Sequence, residues 1–198
     1  MTDTTGSVEF LHVSECETTQ LLAAQLIAGL SPNHWSLVLA DTQSAGAGRE
    51  GRSWEQPPGR AMLASIAAQG PWHRDVLIEL PQRVGQIVLS ALTELHSVRE
   101  GELAWKAPND LVASATSSHA AAKLGGVLID AVSTASSVSH LIIGIGVNLT
   151  GGAFRTADGR KAIALDALLD DPLWFSADAA TLAQHITREL QQLISARR

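Results

Sequence analysis

The chain has 198 residues, with 14 Lys and Arg against 20 Asp and Glu, for a formal charge of -6. That balance excludes a generally basic nucleic-acid binder. Hydrophobic residues make up 45% and charged residues 17%, enough for one sizeable core and too little charge for a disordered chain, so one domain over residues 1–198 is expected.

Val8 to Val13 alternates loosely and predicts a strand. Thr18 or Thr19 can then cap a helix with Leu22, Leu26, Ile27 and Leu30 on its apolar face, ended by Ser31, Pro32 and Asn33. Trp35 to Ala40 is a short apolar run between turn residues, as a buried strand requires. From Gln43 to Arg60 no core-facing period exists, and an unusually long loop is expected before a strand over Ala61 to Ala67. Pro81 is placed to open a helix whose stripe is Val84, Ile87, Val88, Ala91, Leu92, Leu95 and Val98. Leu103 to Val112 holds a short strand and a turn at Pro108, followed by a small polar connection over Ala113 to Ala122. Two strands, Leu124 to Val132 and Val138 to Leu149, precede a last helix carrying Leu182, Ile186, Leu190 and Leu193. This order predicts an α+β fold: a mixed, largely antiparallel sheet with helices packed on one face.

Cys16 is the only cysteine, so neither an intrachain disulfide nor a C-x-x-C metal pattern can form, which fits a reducing cytoplasm. Met1 to Val8 lacks the basic and apolar runs of a signal peptide, and Leu141 to Leu149 is too short to span a bilayer. A soluble cytoplasmic protein with no membrane or nucleic-acid partner is the expectation. The seven histidines, His119 near Lys123 among them, show no His-x-x-x-His or His-x-His spacing, so no metal-ligating set is assigned. Cys16 has no motif linking it to a base.

Four segments can carry chemistry. The first, Gln43-Ser44-Ala45-Gly46-Ala47-Gly48-Arg49-Glu50-Gly51-Arg52-Ser53-Trp54, contains a formal G-x-G-x-x-G. A dinucleotide or P-loop reading needs a helix next, and Glu55-Gln56-Pro57-Pro58-Gly59 cannot open one. The loop does supply bare backbone and two guanidinium groups suited to carboxylate or phosphate. Its plain alternative is a solvated loop whose arginines pair with Glu50 and Glu55. In the second segment, Lys106-Ala107-Pro108-Asn109-Asp110, a tight turn would bring a cation, an amide and a carboxylate to one place, although Pro-Asn-Asp is also an ordinary turn. The third puts Lys123 at the mouth of the apolar strand Leu124-Gly125-Gly126-Val127-Leu128, where it acts in chemistry or merely guards an edge. The fourth, Gly144-Ile145-Gly146-Val147-Asn148, has two bare positions on which a flat ligand can lie and an amide at its end.

Together and in this order, these segments resemble the catalytic domain of biotin protein ligases, whose motifs read Gly-Arg-Gly-Arg-x-Gly-Arg-x-Trp, Lys-Trp-Pro-Asn-Asp, Lys-Leu-x-Gly-Ile-Leu and Gly-Ile-Gly-x-Asn. The similarity runs from Val8 to the last helix and implies a class II aminoacyl-tRNA-synthetase-like catalytic fold. It also implies ATP-dependent activation of biotin as biotinyl-5′-AMP, aided by Mg2+, then transfer to a lysine of a biotin carboxyl-carrier domain. By resemblance, Lys123 and Arg49 are the catalytic cations. Thr18, Thr19, Gln20, Gln43, Gly48, Arg49 and Lys123 bind biotin, while Arg52, Trp54, Lys106, Asn109 and Asn148 serve ATP. Closure of the glycine loop would keep water from the adenylate.

The departures are specific. Ala47 stands for the loop's first arginine, Ala107 for the tryptophan after the motif lysine, and Gln20 for an asparagine in the family's Ser-Thr-Asn. The sequence ends where family members usually continue into a small β-barrel, and leaves no room before Val8 for a winged-helix DNA-binding domain, so no repressor role is expected. A homodimer is compatible with the sequence. Two rival readings stand beside biotin ligation: a lipoate or octanoate ligase or transferase of the same fold, and a biotin or adenylate binder with little turnover.

Overall fold

The computed structural model describes residues 7–27, 29, 31, 34–56, 59–96, 98, 101–115, 121–169 and 178–195. The first strand, β1 (Val8–Cys16), runs parallel to β2 (Trp35–Gln43). A parallel pair needs a crossover, supplied by α1 (Thr19–Ile27). Antiparallel pairing then links β2 to β3 (Ala61–His73), β3 to β7 (Ser137–Asn148), β7 to β6 (Ala122–Ser133), and β6 through β5 (Asp110–Ala113) to β4 (Leu103–Lys106). A short hairpin, β8 (Ala153–Arg155) and β9 (Lys161–Ile163), joins β6 in parallel at Lys123 and Ala162. The α+β class and the mixed, largely antiparallel sheet are as expected.

Two strand expectations change in detail. The third strand runs on past Ala67 to His73, with Gly70 and Pro71 inside a register shift, where proline's missing N–H costs no ladder bond. The turn at Pro108 joins β4 and β5 as a hairpin, and residues 116–120 of the following polar connection, His119 included, lie outside the described residues.

Because strand side chains alternate, each strand feeds both faces of the sheet. Trp35, Leu37 and Leu39 of β2, Met62 and Ile66 of β3, and Ile143 and Ile145 of β7 enter the main core. It is closed by α2 (Val76–His96) and α3 (Ala179–Ser195). On α3, Leu182, Ile186, Leu190 and Ile194 are buried at four-residue steps and Leu193 half-buried. Pro81 lies inside α2 rather than opening it. The first turn starts earlier, with Leu77 N and Ile78 N donating to Arg74 and Asp75 carbonyls three residues back. Val84, Val88, Ala91 and Leu92 are buried as the stripe requires, but Leu95 is 40% exposed because the helix end overhangs the core.

The helices do not all share one face. Alternate residues Val38, Ala67 and Ile142 pack on the opposite side against α1, with Ala23 at the centre and Leu22, Leu26 and Ile27 half-buried. Leu30, Pro32 and Asn33 lie outside the described residues. The most buried side chains of α1 are Thr19, Gln20 and Ala23, so this helix turns two polar groups inward. That inversion marks the second face as something other than core.

Candidate active site

A cleft of about 770 Å3, open mouth included, lies on the α1 face of the sheet. Its inner end is polar. Thr19 N donates to Gln43 Oε1 at 2.7 Å, and the Thr19 hydroxyl lies 3.2 Å from the same oxygen. Ser65 Oγ, buried on β3, lies 2.9 Å from both Thr19 Oγ1 and Gln20 Oε1. Gln20 Nε2 donates to Asp130 Oδ2 at 3.0 Å and to the Ile142 carbonyl at 3.3 Å, which fixes the amide's orientation. Its Oε1 lies 2.6 Å from where a Cβ on Gly144 would be, so a side chain at residue 144 would displace this amide from its hydrogen bonds. Thr18 lies at the start of α1, where its hydroxyl accepts from Gln20 N at 3.3 Å.

The glycine loop forms the outer wall. Gly48 N donates to Arg52 O at 2.8 Å and Trp54 N to Gly46 O at 2.7 Å, and Ala47 bridges Ser53. Between them Arg49–Gly51 make one short 3-10 turn that needs left-handed backbone at Glu50 (φ 58°) and Gly51 (φ 73°). Arg49 and Arg52 both line the cleft. Arg52 is 62% exposed and pairs with Glu50 at 2.9 Å, so the ion pair expected of a plain solvated loop is present here. Trp54 drops its indole onto Gly146, where a Cβ would meet the ring at 2.8 Å. The bare positions of β7 are thus covered by the protein's own Gln20 and Trp54, rather than open as a platform for a flat ligand.

Lys123 reaches the cleft through a defect in β6. Val127 and Ile129 face the main core, so strict alternation would put Leu124 in the cleft and Lys123 in the core. The register between β5 and β6 shifts between Leu111/Val112, paired with Gly125 and Lys123, so Leu124 is left over and turns into the core. This bulge re-aims Lys123 to the site. Its ammonium sits 2.7 Å from Asp110 Oδ1 and 5.6 Å from the Trp54 ring centroid, with the side chain 26% exposed.

A smaller hollow of about 420 Å3 adjoins the cleft, walled by β8, β9 and Asn148. Ser53, Trp54, Lys123 and Arg160 line both spaces. Two buried polar atoms here have no hydrogen-bond partner among the described residues: Trp54 Nε1, a donor, and Asn148 Oδ1, an acceptor, while Asn148 Nδ2 donates to Ile163 O at 3.1 Å.

Thr18, Thr19, Gln20, Gln43, Gly48, Arg49, Arg52, Trp54, Asn109 and Lys123 therefore border one cleft, and Asn148 its neighbour. Lys106 lines neither: it is exposed on β4, the outermost strand, directly opposite Asp110 in the β4–β5 register. Ser65, Asp130 and Arg160 escaped the sequence analysis. A lone serine in the apolar run Ala61 to Ala67 was the available signal for the first, and nothing local distinguishes the other two. Cys16 takes no part: burial first, then the Glu15 charge, pushes its thiol pKa up, opposite to what a nucleophile needs. Among the described residues no three His, Cys, Asp or Glu gather as a metal site, and no helix is long and apolar enough to cross a membrane.

Comparison with known proteins agrees with this architecture. A biotin--[acetyl-CoA-carboxylase] ligase of Paracoccus denitrificans is 30% identical over 139 residues, 70% of this chain and 54% of that protein. The biotin protein ligase of Leishmania major, solved with biotin, superposes with a TM-score of 0.73 at 25% identity over 95% of this chain and 74% of the other. Its complex with biotinyl-5-AMP gives 0.72 at 26% identity, covering 96% and 75%. The chain spans about half the length of the curated relatives it matches. The family model for the biotin/lipoate A/B protein ligase family matches residues 16–148, which include every residue lining the cleft except Arg160, and the chain belongs to that family.

Proposed function

We propose that this chain is the catalytic unit of a biotin protein ligase, which activates biotin as biotinyl-5′-AMP and passes it to a lysine of a biotin carboxyl-carrier domain. One observation supports this most: Lys123 lines both adjoining hollows, so an acid in the larger and a nucleotide in the smaller meet beside one ammonium. In the first stage a carboxylate oxygen of biotin bonds to the α-phosphorus of ATP, and the bond to the bridging oxygen breaks, releasing pyrophosphate. In the second the carrier's neutral amine bonds to the acyl carbon, AMP leaves with the electron pair, and the amine's proton passes to solvent. A soluble, cytoplasmic enzyme follows from the demand for ATP and the single cysteine.

The residues divide the work by position. Thr18, Thr19, Gln20 and Gln43 hold the polar ring end of biotin, and the bare backbone at Gly48 lets its carboxylate approach Arg49. Lys123 and Arg49 stabilise charge that builds on the phosphoryl and acyl oxygens, in a site shielded by Trp54. Asp110 orients the Lys123 ammonium. Arg52, Trp54, Asn109 and Asn148 border the nucleotide, with Lys106 a more distant cation. The unpartnered Asn148 Oδ1 fits a Mg2+ ion carried on the phosphates, which would neutralise their charge; with no carboxylate cluster among the described residues, Asn148 and Asn109 would help hold such an ion.

Pyrophosphate release by the purified chain tests this reading. Release should require biotin, ATP and Mg2+, and lipoate or octanoate should not replace biotin. An apo carrier domain should then gain one biotinyl mass. Folded protein that releases pyrophosphate only with lipoate, or with neither acid, would overturn it.

A further inference from the structure

Ala47 lines the cleft, so the glycine loop supplies no charge there from position 47. A guanidinium from an unrelated element occupies the same cleft. Arg160, at the end of the turn between β8 and β9, lines the cleft with Ala47 and also the smaller hollow, a position it shares with Lys123. We propose that Arg160 is a polyphosphate-binding residue, supplying from the β8–β9 turn the charge that position 47 lacks. This rests on the ligase reading above and extends it to a residue outside the four motifs.

The turn is built to hold that side chain still. Arg160 O accepts from Thr156 N at 3.1 Å and Arg160 N donates to Thr156 Oγ1 at 3.1 Å, closing the hairpin on itself. Gly159 supplies the left-handed residue (φ 83°), and its carbonyl is tied by Arg155 Nη1 at 2.7 Å. Glu55 Oε2 accepts from Ala157 N at 2.7 Å, so the tip of the turn is fastened to the glycine loop just beyond Trp54.

Asp158 Oδ2 lies 2.6 Å from Arg160 Nε, the inner nitrogen. An arginine oriented through Nε keeps its two terminal nitrogens as a parallel fork, the geometry that grips a phosphate bidentately. With the side chain 45% exposed, the fork remains open to ligand. The competing explanation is an ordinary exposed Arg–Asp pair, worth little to fold or function.

Titration calorimetry on the full chain separates the two, with ATP, inorganic tripolyphosphate and biotin as separate probes. Arg160→Gln should weaken ATP and tripolyphosphate about tenfold, the value of one charge-assisted contact, and leave biotin within about twofold. Adding Ala47→Arg to that variant should restore most of the loss, a rescue that a structural role for Arg160 cannot produce. Arg160→Gln that binds both polyphosphates like the native chain, or that Ala47→Arg fails to rescue, would overturn this inference while leaving the ligase reading intact. A native chain that binds no ATP would overturn the ligase reading and this inference with it.

Discussion

Each of the two sheet faces contains a glycine that receives an indole, and the two contacts serve opposite ends. On the core side Gly85 of α2 is bare so that the Trp105 ring can lie on it, and that ring packs against a core of Leu, Ile and Val. On the other side Gly146 is bare so that Trp54 can lie on β7, but there the indole has a cation on it, an unpartnered N–H and two hollows beside it. The same strand alternation that fills one face with aliphatic side chains fills the other with Ser65, Gly144 and Gly146, and the β6 bulge adds Lys123. Stability should therefore reside mainly on the α2–α3 face and chemistry on the α1 face.

The largest expected effect comes from the core. Leu92→Ala removes a fully buried side chain and should cost about 3 kcal/mol in denaturant unfolding, while biotin affinity measured well below the melting temperature stays the same. Next is Lys123→Ala, which should slow adenylate formation about 100-fold and leave the thermal midpoint nearly unchanged, since the lysine is partly exposed. Unchanged turnover in that variant would refute its role. Gly146→Ala gives the sharper comparison. The new methyl must push the indole aside, at about 1–3 kcal/mol of local strain, so ligand binding and tryptophan emission should both change. Gly85→Ala should instead lower the melting temperature and leave ligand affinity alone.

The smallest effect is electrostatic and lies away from both faces. Asp178 caps α3: a hydrogen bond from the Thr181 hydroxyl, then one from Ala180 N, hold its carboxyl below the usual carboxylate range. A depressed folded-state pKa stabilises above the unfolded value of about 3.9 and is lost as pH falls through the folded value. Asp178→Ala should thus cost about 1 kcal/mol, the ordinary value of an N-cap. The difference between variant and native melting curves should be full at neutral pH and close below about pH 4.

Much of this contrast was legible in the residues alone. The stripes of α2 and α3 and the apolar runs of β2, β6 and β7 announce a core because their period matches the element that buries them. The glycine loop announces itself by lacking any period. What escaped depends on pairing between distant segments. The bulge at Leu124, which decides where Lys123 points, is set by β5 and has no signature within β6. The apolar face of α1 packs as its period predicts, but the depth of Thr19 and Gln20 has no signature in the helix, because partners on β2, β3 and β6 bury them against the usual preference of polar side chains for solvent. Arg160 sits in an unremarked turn, and the hairpin's pairing with β6 and its tie to Glu55 bring it to the cleft.

Mass analysis of what the chain retains would test the central claim most directly. After mixing with biotin, ATP and Mg2+ and rapid desalting, biotinyl-5′-AMP should travel with the native protein and be nearly absent from Lys123→Ala. Recovery of unreacted biotin and ATP from folded native chain would contradict the claim that these two hollows form one active site.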